Sequence, residues 1–193
     1  MKMPRKRAAK PRIALFFGSF NPIHKGHYAI AKYLVERTDA DEVRLIVTPR
    51  NPLGKKDLAD ARQRLETVRE VMARTALDVT VSDVEFHLPE PNYTLRTLEY
   101  LDEEEPGCQH ILVIGADNLA NLERWYGYQT LIDRYEIWVY PRSGFPMEEL
   151  CARHNARSAQ PRIHPLSGDL HNLSSTEIRE GEKAGFDMSG LKP

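Results

Sequence analysis

Cysteine is scarce. Cys108 and Cys151 are the only two in 193 residues, far apart and without metal-ligand or redox spacing. That argues against a disulfide scaffold or thiol chemistry and sets a reduced, cytoplasmic environment as the expectation. Net charge is nearly absent as well: at −1 the chain carries no global field that would draw nucleic acid or a membrane. Long apolar runs are missing, since nothing approaches the roughly 18 residues of a membrane span. The five apolar residues at 13–17 are too few for a signal-peptide core. What is there, 41% hydrophobic and 28% charged, is the composition of a soluble globular protein of one-domain length, able to bury a real core.

The charge is unevenly placed. Residues 1–12 hold six basic residues and no acidic one, leaving the remainder at −7. Such an arm can bind nucleic acid. Nothing aromatic is interleaved, however, and the fold starts at Ile13, so a solvated, disordered tail is the reading and nucleic acid is not an expected partner. Residues 13–193 are expected to form the domain.

The most informative stretch is Phe16-Phe17-Gly18-Ser19-Phe20-Asn21-Pro22-Ile23-His24-Lys25-Gly26-His27. Before it, 13–17 is a continuous apolar run, the mark of a strand covered on both faces. After it, His27, Ala31, Leu34 and Val35 recur at helical spacing, predicting a helix from about residue 23 or 26 to 37. Gly18 lets the backbone turn tightly and approach a ligand, and the new helix aims N–H groups and a positive dipole end at the same spot. A phosphate is the natural occupant. His24 and His27 lie side by side if the helix has begun by His24, and imidazole can donate to a phosphoryl oxygen. The alternatives are a capping or packing role, or half a metal site. No third ligand completes a metal set, and the strand, glycine turn and helix start together favour phosphate.

Further along, 42–48 reads as a second strand. Strand, helix and strand make a βαβ unit with parallel strands, hence an α/β fold. The loop that follows carries Arg50, Lys55 and Lys56 at a strand's carboxyl end, where they either meet phosphates or are simply solvated. A packing helix is predicted over 57–73 with Asp57 or Asp60 as cap, and a weaker edge strand over 77–85. Asn92 or Thr94 caps a helix that starts near residue 93. The buried strand 110–114 runs into Gly115-Ala116-Asp117-Asn118, repeating the plan seen at Gly18. There Asp117 either accepts from ribose hydroxyls or, with Asn118, caps the next helix. Trp125, Tyr126 and Tyr128 are hydrophobic covering or a wall for a flat ring, and spacing alone favours covering. A strand at 135–140, a helix from 146 to about 153 and a short strand at 163–166 follow. Ser174 and Glu177 make a capping box, so another helix starts there; its hydroxyls, N–H groups and Arg179 form a second anion site that is weak by itself.

Three segments carry a resemblance. Residues 18–27 resemble the G-[ST]-F-[DN]-P-x-H-x-G-H signature of the nucleotidylyltransferase superfamily, similar in turn to the HIGH motif of class I aminoacyl-tRNA synthetases. Leu173-Ser174-Ser175-Thr176-Glu177-Ile178-Arg179 resembles its I-S-S-T-x-I-R motif. Gly115-Ala116-Asp117-Asn118 with Trp125-Tyr126, and Asn92-Tyr93-Thr94-Leu95-Arg96-Thr97-Leu98, are similar to segments of the nicotinate mononucleotide adenylyltransferase branch. The resemblance spans most of 13–180. It implies a single Rossmann-like, doubly wound α/β domain with a mostly parallel sheet, and transfer of AMP from ATP to nicotinate mononucleotide with pyrophosphate leaving. It implies that Gly18, Ser19, Phe20, His24 and His27 line the ATP phosphates, with Ser174, Ser175, Thr176 and Arg179 opposite. Gly115 and Asp117 would meet a ribose, Thr94 and the backbone at Tyr126 the nicotinate carboxylate, and Trp125 the pyridine ring. His24, His27 and Arg179 would carry the catalysis, with Mg²⁺ bridging triphosphate oxygens and no metal held by a protein cage.

The sequence departs from the family pattern in three places. Asn21 stands for the commoner Asp; Asn51-Pro52-Leu53-Gly54-Lys55-Lys56 replaces an N-P-H-K-like loop; and the segment after Glu180 is short and glycine-rich, as a reduced or truncated C-terminal cap would be. The rivals are a superfamily member with another acceptor, such as nicotinamide mononucleotide, phosphopantetheine or FMN, a cytidylyltransferase, or a non-catalytic nucleotide- or nucleic-acid-binding protein.

Overall fold

Along the first strand, β1 (Arg12–Gly18), Ile13 and Leu15 enter one apolar cluster and Ala14 and Phe16 another, so side chains alternate into two cores. This is the continuous apolar run explained. The computed structural model describes residues 10–50 and 60–166. Its other strands are β2 (Glu42–Val47), β3 (Thr80–Ser82), β4 (Gln109–Gly115), β5 (Glu136–Tyr140) and β6 (Ile163–Pro165). They form one sheet in the order β3-β2-β1-β4-β5-β6, and every pairing is parallel. The expected doubly wound α/β architecture is present.

Helices cover both faces. Ile30, Ala31 and Leu34 of α1 (Lys25–Arg37) and Leu65, Val68 and Met72 of α2 (Ala61–Ala73) pack on one side. On the other lie Leu95, Leu98 and Leu101 of α3 (Thr94–Glu104), Leu119 of α4 (Ala116–Ala120), Leu131 and Ile132 of α5 (Tyr128–Arg134), and Leu150 and Cys151 of α6 (Met147–Asn155). Each such buried Leu, Ile, Val or Met side chain contributes about 1.5–3 kcal/mol. β1 and β4 are neighbours, and the chain winds outward from them in opposite directions. Their carboxyl ends flank the crevice in which sheets of this order bind ligands.

Several boundaries differ from the predicted ones. α1 begins at Lys25, with His24 as N-cap rather than inside the first turn, so its buried face runs through Gly26, Ile30, Ala31 and Leu34. Of the two proposed caps for α2, Asp60 is the cap, its Oδ1 accepting the amides of Arg62 (3.0 Å) and Gln63 (3.1 Å). β3 is three residues, not nine. The Ser82 hydroxyl accepts the Val84 amide (3.2 Å), and a 3₁₀ turn over Val84–Phe86 then drives Glu85 into the interior. α3 has Tyr93 as N-cap and no side-chain cap, correcting the expectation for Asn92 or Thr94; Asn92 instead donates to the Glu85 carbonyl at 2.9 Å. α4 likewise starts at a Gly115 N-cap without a side-chain cap, so neither Asp117 nor Asn118 has the capping role.

Both cysteines are free thiols, and burial pushes that of Cys151 up to about 11. Among the described residues no helix is long and apolar enough to cross a membrane. Lys55, Lys56 and the stretch with Ser174, Ser175, Thr176 and Arg179 lie outside the described residues.

Candidate nucleotide-binding site

The turn after β1 is shaped by Phe20. Its φ is +43°, a left-handed value that is costly for a bulky residue and that persists only where packing enforces it. The packing is visible: the buried ring sits edge-on to Phe16 (centroids 5.7 Å) and His27 (5.0 Å). Its edge lies so close beneath Gly18 that a Cβ there would meet it at 3.0 Å. Gly18 is therefore required by the approach of Phe20. The Phe20 ring belongs to the core, leaving only its backbone to face a phosphate, which narrows the role the resemblance implied.

Arg64 holds the same turn from below. The side chain is 3% exposed, and its guanidinium donates to the carbonyls of Ser19, Thr48 (3.0 Å) and Pro49 (2.8 Å), joining the loops after β1 and β2. Burial lowers its pKa from the usual guanidinium value, with Asp60 opposing. Sequence reasoning missed it. The signal was a basic residue inside the buried stripe of α2, one turn before Val68 and next to Leu65.

The two histidines form a capping box. His24 Nδ1 accepts the Gly26 amide at 3.0 Å and His27 Nδ1 accepts the His24 amide at 3.3 Å, with ring centroids 3.8 Å apart. An Nδ1 that accepts carries no proton, so each neutral ring keeps its hydrogen on Nε2. One arrangement thus fixes the helix start and makes both Nε2–H groups donors. The capping and phosphate roles, rivals in the sequence, are compatible in the structure.

Across the switch point, Gly115 ends β4 as Gly18 ends β1. A Cβ on Gly115 would meet Asp117 Oδ1 at 2.3 Å and the Tyr140 ring at 3.0 Å, so the carboxylate folds back over the strand end. Asp117 Oδ1 stands 3.6 Å from Nε of Arg142, just beyond β5, which also lies over the Tyr140 ring at 4.9 Å. Both atoms are buried and neither has a hydrogen-bond partner among the described residues. The two atoms form an ion pair closed to solvent, while the Asp117 side chain, 43% exposed, keeps an accessible edge that can accept from a hydroxyl. Arg142 was also missed, because Pro141-Arg142-Ser143-Gly144 read only as a strand stop.

The remaining candidates gather at the start of α3. Thr94 is the first helical residue, where N–H groups lack intrahelical partners. The Tyr93 and Tyr126 rings stack at 4.7 Å and 15°, with the Arg96 guanidinium over both at 5.4 and 5.2 Å. Gly127, at φ +69°, presses on Leu95 so closely that a Cβ would come within 2.1 Å of its Cδ2. These contacts carry the segment with Trp125 and Tyr126 to Thr94. Trp125 packs partly on the core, while its buried indole N–H lacks an acceptor among the described residues. Covering and stacking wall are again compatible.

A parallel sheet of this order, with glycine-ended strands on both sides of the switch point and a helix start guarded by imidazoles, defines a nucleotide-binding α/β protein. More narrowly, the chain belongs to the cytidylyltransferase-like family, whose pattern it matches over residues 15–181. It is 38% identical to a Flavobacterium johnsoniae protein named "Probable nicotinate-nucleotide adenylyltransferase", over 94% of this chain and 92% of that one. It is 43% identical to a Bacteroides thetaiotaomicron protein of the same name, over 89% and 81% respectively. The fold is shared with Plasmodium falciparum nicotinic acid mononucleotide adenylyltransferase complexed with NaAD, at TM-score 0.78 and 17% identity over 93% of this chain and 87% of the other.

Proposed function

We propose that the chain is a nicotinate-nucleotide adenylyltransferase of NAD biosynthesis, working in the cytoplasm on ATP and nicotinate mononucleotide. One observation supports the mechanism: the His24–His27 capping box at the start of α1, in which both Nδ1 atoms accept and the ring protons of the neutral imidazoles sit on Nε2. A 5′-phosphate oxygen of the mononucleotide attacks the α-phosphorus of ATP. The new P–O bond forms as the bond to the bridging α–β oxygen breaks, and pyrophosphate leaves with the electron pair. The attacking group is already anionic, so no protein base or nucleophile is needed. The protein aligns two polyanions and stabilises charge growing on the transferred phosphoryl group.

Within this reading, His24, His27 and the backbone at Gly18 and Ser19 receive the triphosphate. Asp117, held beside Arg142, takes a ribose hydroxyl. The α3 start at Thr94 and the backbone at Tyr126 take the nicotinate carboxylate, beside Trp125. Ser174, Ser175, Thr176 and Arg179 complete the triphosphate site. Among the described residues no group of three or more His, Cys, Asp or Glu could hold a metal ion. Mg²⁺ bound to the triphosphate would supply charge neutralisation there.

The test is pyrophosphate release from ATP and Mg²⁺ with nicotinate or nicotinamide mononucleotide, side by side. A clear preference for the acid is expected. A preference for the amide, or release that needs neither mononucleotide, overturns the assignment.

A further inference from the structure

We infer that Glu85 is the positioning residue of the acceptor half-site, and that its carboxyl acts in the protonated, uncharged form. Glu85 is 2% exposed. Its Oε1 accepts the Thr97 hydroxyl at 2.9 Å, and its backbone carbonyl accepts Asn92 Nδ2 at 2.9 Å. Asn92 lies just before the Tyr93 N-cap of α3, and Thr97 lies one turn beyond Thr94. Thr94 is thus bracketed by two side chains that both end on Glu85.

Two features assign the proton. Glu85 Oε2 is buried with no strong hydrogen bond among the described residues, approached only by the Thr48 hydroxyl. A carboxylate there would carry a full charge in the interior with one oxygen poorly bonded, a desolvation cost that the uncharged carboxyl avoids. Second, a negative charge beneath the first turns of α3 would offset the positive helix end that faces the acceptor's carboxylate. Burial pushes the Glu85 carboxyl up to about 7, with the Thr97 and Thr48 hydroxyls opposing the rise. Nearby charges are engaged elsewhere: Arg69 with Glu66 and Asp83, His87 with Asp83, Arg50 with Glu90, and Arg96 over the two tyrosine rings.

Binding of a carboxylate at Thr94 and ionisation of Glu85 therefore oppose each other. This rests on the proposal that Thr94 receives the nicotinate carboxylate. Its signature is an acceptor KM that rises with pH through neutrality while the ATP KM does not follow.

The experiment uses the full chain with ATP, Mg²⁺ and nicotinate mononucleotide from pH 6 to 9, comparing wild type with Glu85→Gln. The glutamine is isosteric, uncharged and able to donate. The substrate's own titration is common to both proteins, so only their difference reports Glu85. The wild-type acceptor KM should rise about tenfold more than that of Glu85→Gln across this range, with the ATP KM moving alike in both. Parallel acceptor profiles, or a Glu85→Gln that raises both KM values equally, overturn the inference. If that variant does not fold, Thr97→Val is expected to raise the acceptor KM at least threefold with little change for ATP; equal effects overturn it. A wild type that prefers nicotinamide mononucleotide removes the functional reading and this inference with it. Acid preference with parallel profiles removes this inference alone.

Discussion

His27 accepts the backbone N–H of His24 on Nδ1 at 3.3 Å, so the same imidazole that closes the first turn of α1 holds its other nitrogen as a donor. The two atoms of the ring have separable tasks. His27→Ala is expected to lower turnover by roughly two to three orders of magnitude, as loss of one preorganised donor does. It should also lower stability by about 1 kcal/mol through the lost cap. His27→Asn keeps an acceptor near the Nδ1 position and should restore much of the stability with turnover still low. Pyrophosphate release and thermal unfolding on the three proteins check this; turnover restored by Asn would reduce His27 to a cap.

Gly115→Ala tests the far side of the switch point. The added methyl group would meet Asp117 Oδ1 at 2.3 Å and the Tyr140 ring at 3.0 Å, so the carboxylate has to leave its place beside Arg142. The expected result is a KM change resembling that of Asp117→Ala, with about 1–3 kcal/mol lost from stability by overpacking. A Gly115→Ala enzyme with native KM values for both substrates would show that the Asp117 position is irrelevant to binding.

Arg64→Met should act on the donor half from outside it. The thioether fills the volume but strands the carbonyls of Ser19, Thr48 and Pro49, costing on the order of 3 kcal/mol. Because the freed loop is the one after Gly18, the ATP KM should rise more than the acceptor KM. Equal changes in the two constants would mean that Arg64 serves the fold alone.

Stability should depend on pH through Glu85. Its folded value of about 7 lies above the ordinary 4.5, so the folded state holds this proton more tightly than the unfolded chain. The contribution is fully present below about pH 4.5 and is lost progressively as pH rises through 7, an effect on the order of 3 kcal/mol. Glu85→Gln should flatten that part of the profile, measured by denaturant unfolding at pH 5, 6, 7 and 8. A wild type and variant that decline together above pH 5 would place the titrating group elsewhere.

The β1–α1 part of the candidate site was legible in the sequence because its parts are contiguous: strand, glycine turn, paired histidines and helix start all fall within residues 12–37. The sheet was legible too, since buried parallel strands read as unbroken apolar runs such as Ile111 to Ile114. The reason for Gly18 was not, because Phe20 closes on it only through a left-handed backbone that no local pattern announces. Arg64, Arg142 and Glu85 escaped for a common reason. Each acts through partners distant in sequence: Ser19 for Arg64, Asp117 for Arg142, Thr97 for Glu85. A charged residue on an apolar face carries a sequence signal only when burial is known.

The adjacency of β1 and β4 has a further consequence. Arg12 pairs with Gln109, and the two glycine-ended strands that flank the crevice lie almost a hundred residues apart in the chain. The crevice cannot assemble from either half, so a site for both nucleotides together exists only once the most non-local pairing of the sheet has formed. Ligands that span it bind the finished molecule and no partial one, and at saturating concentration they add RT ln(1 + [L]/Kd) to its stability. The substrates thereby act as a latch on completed folding.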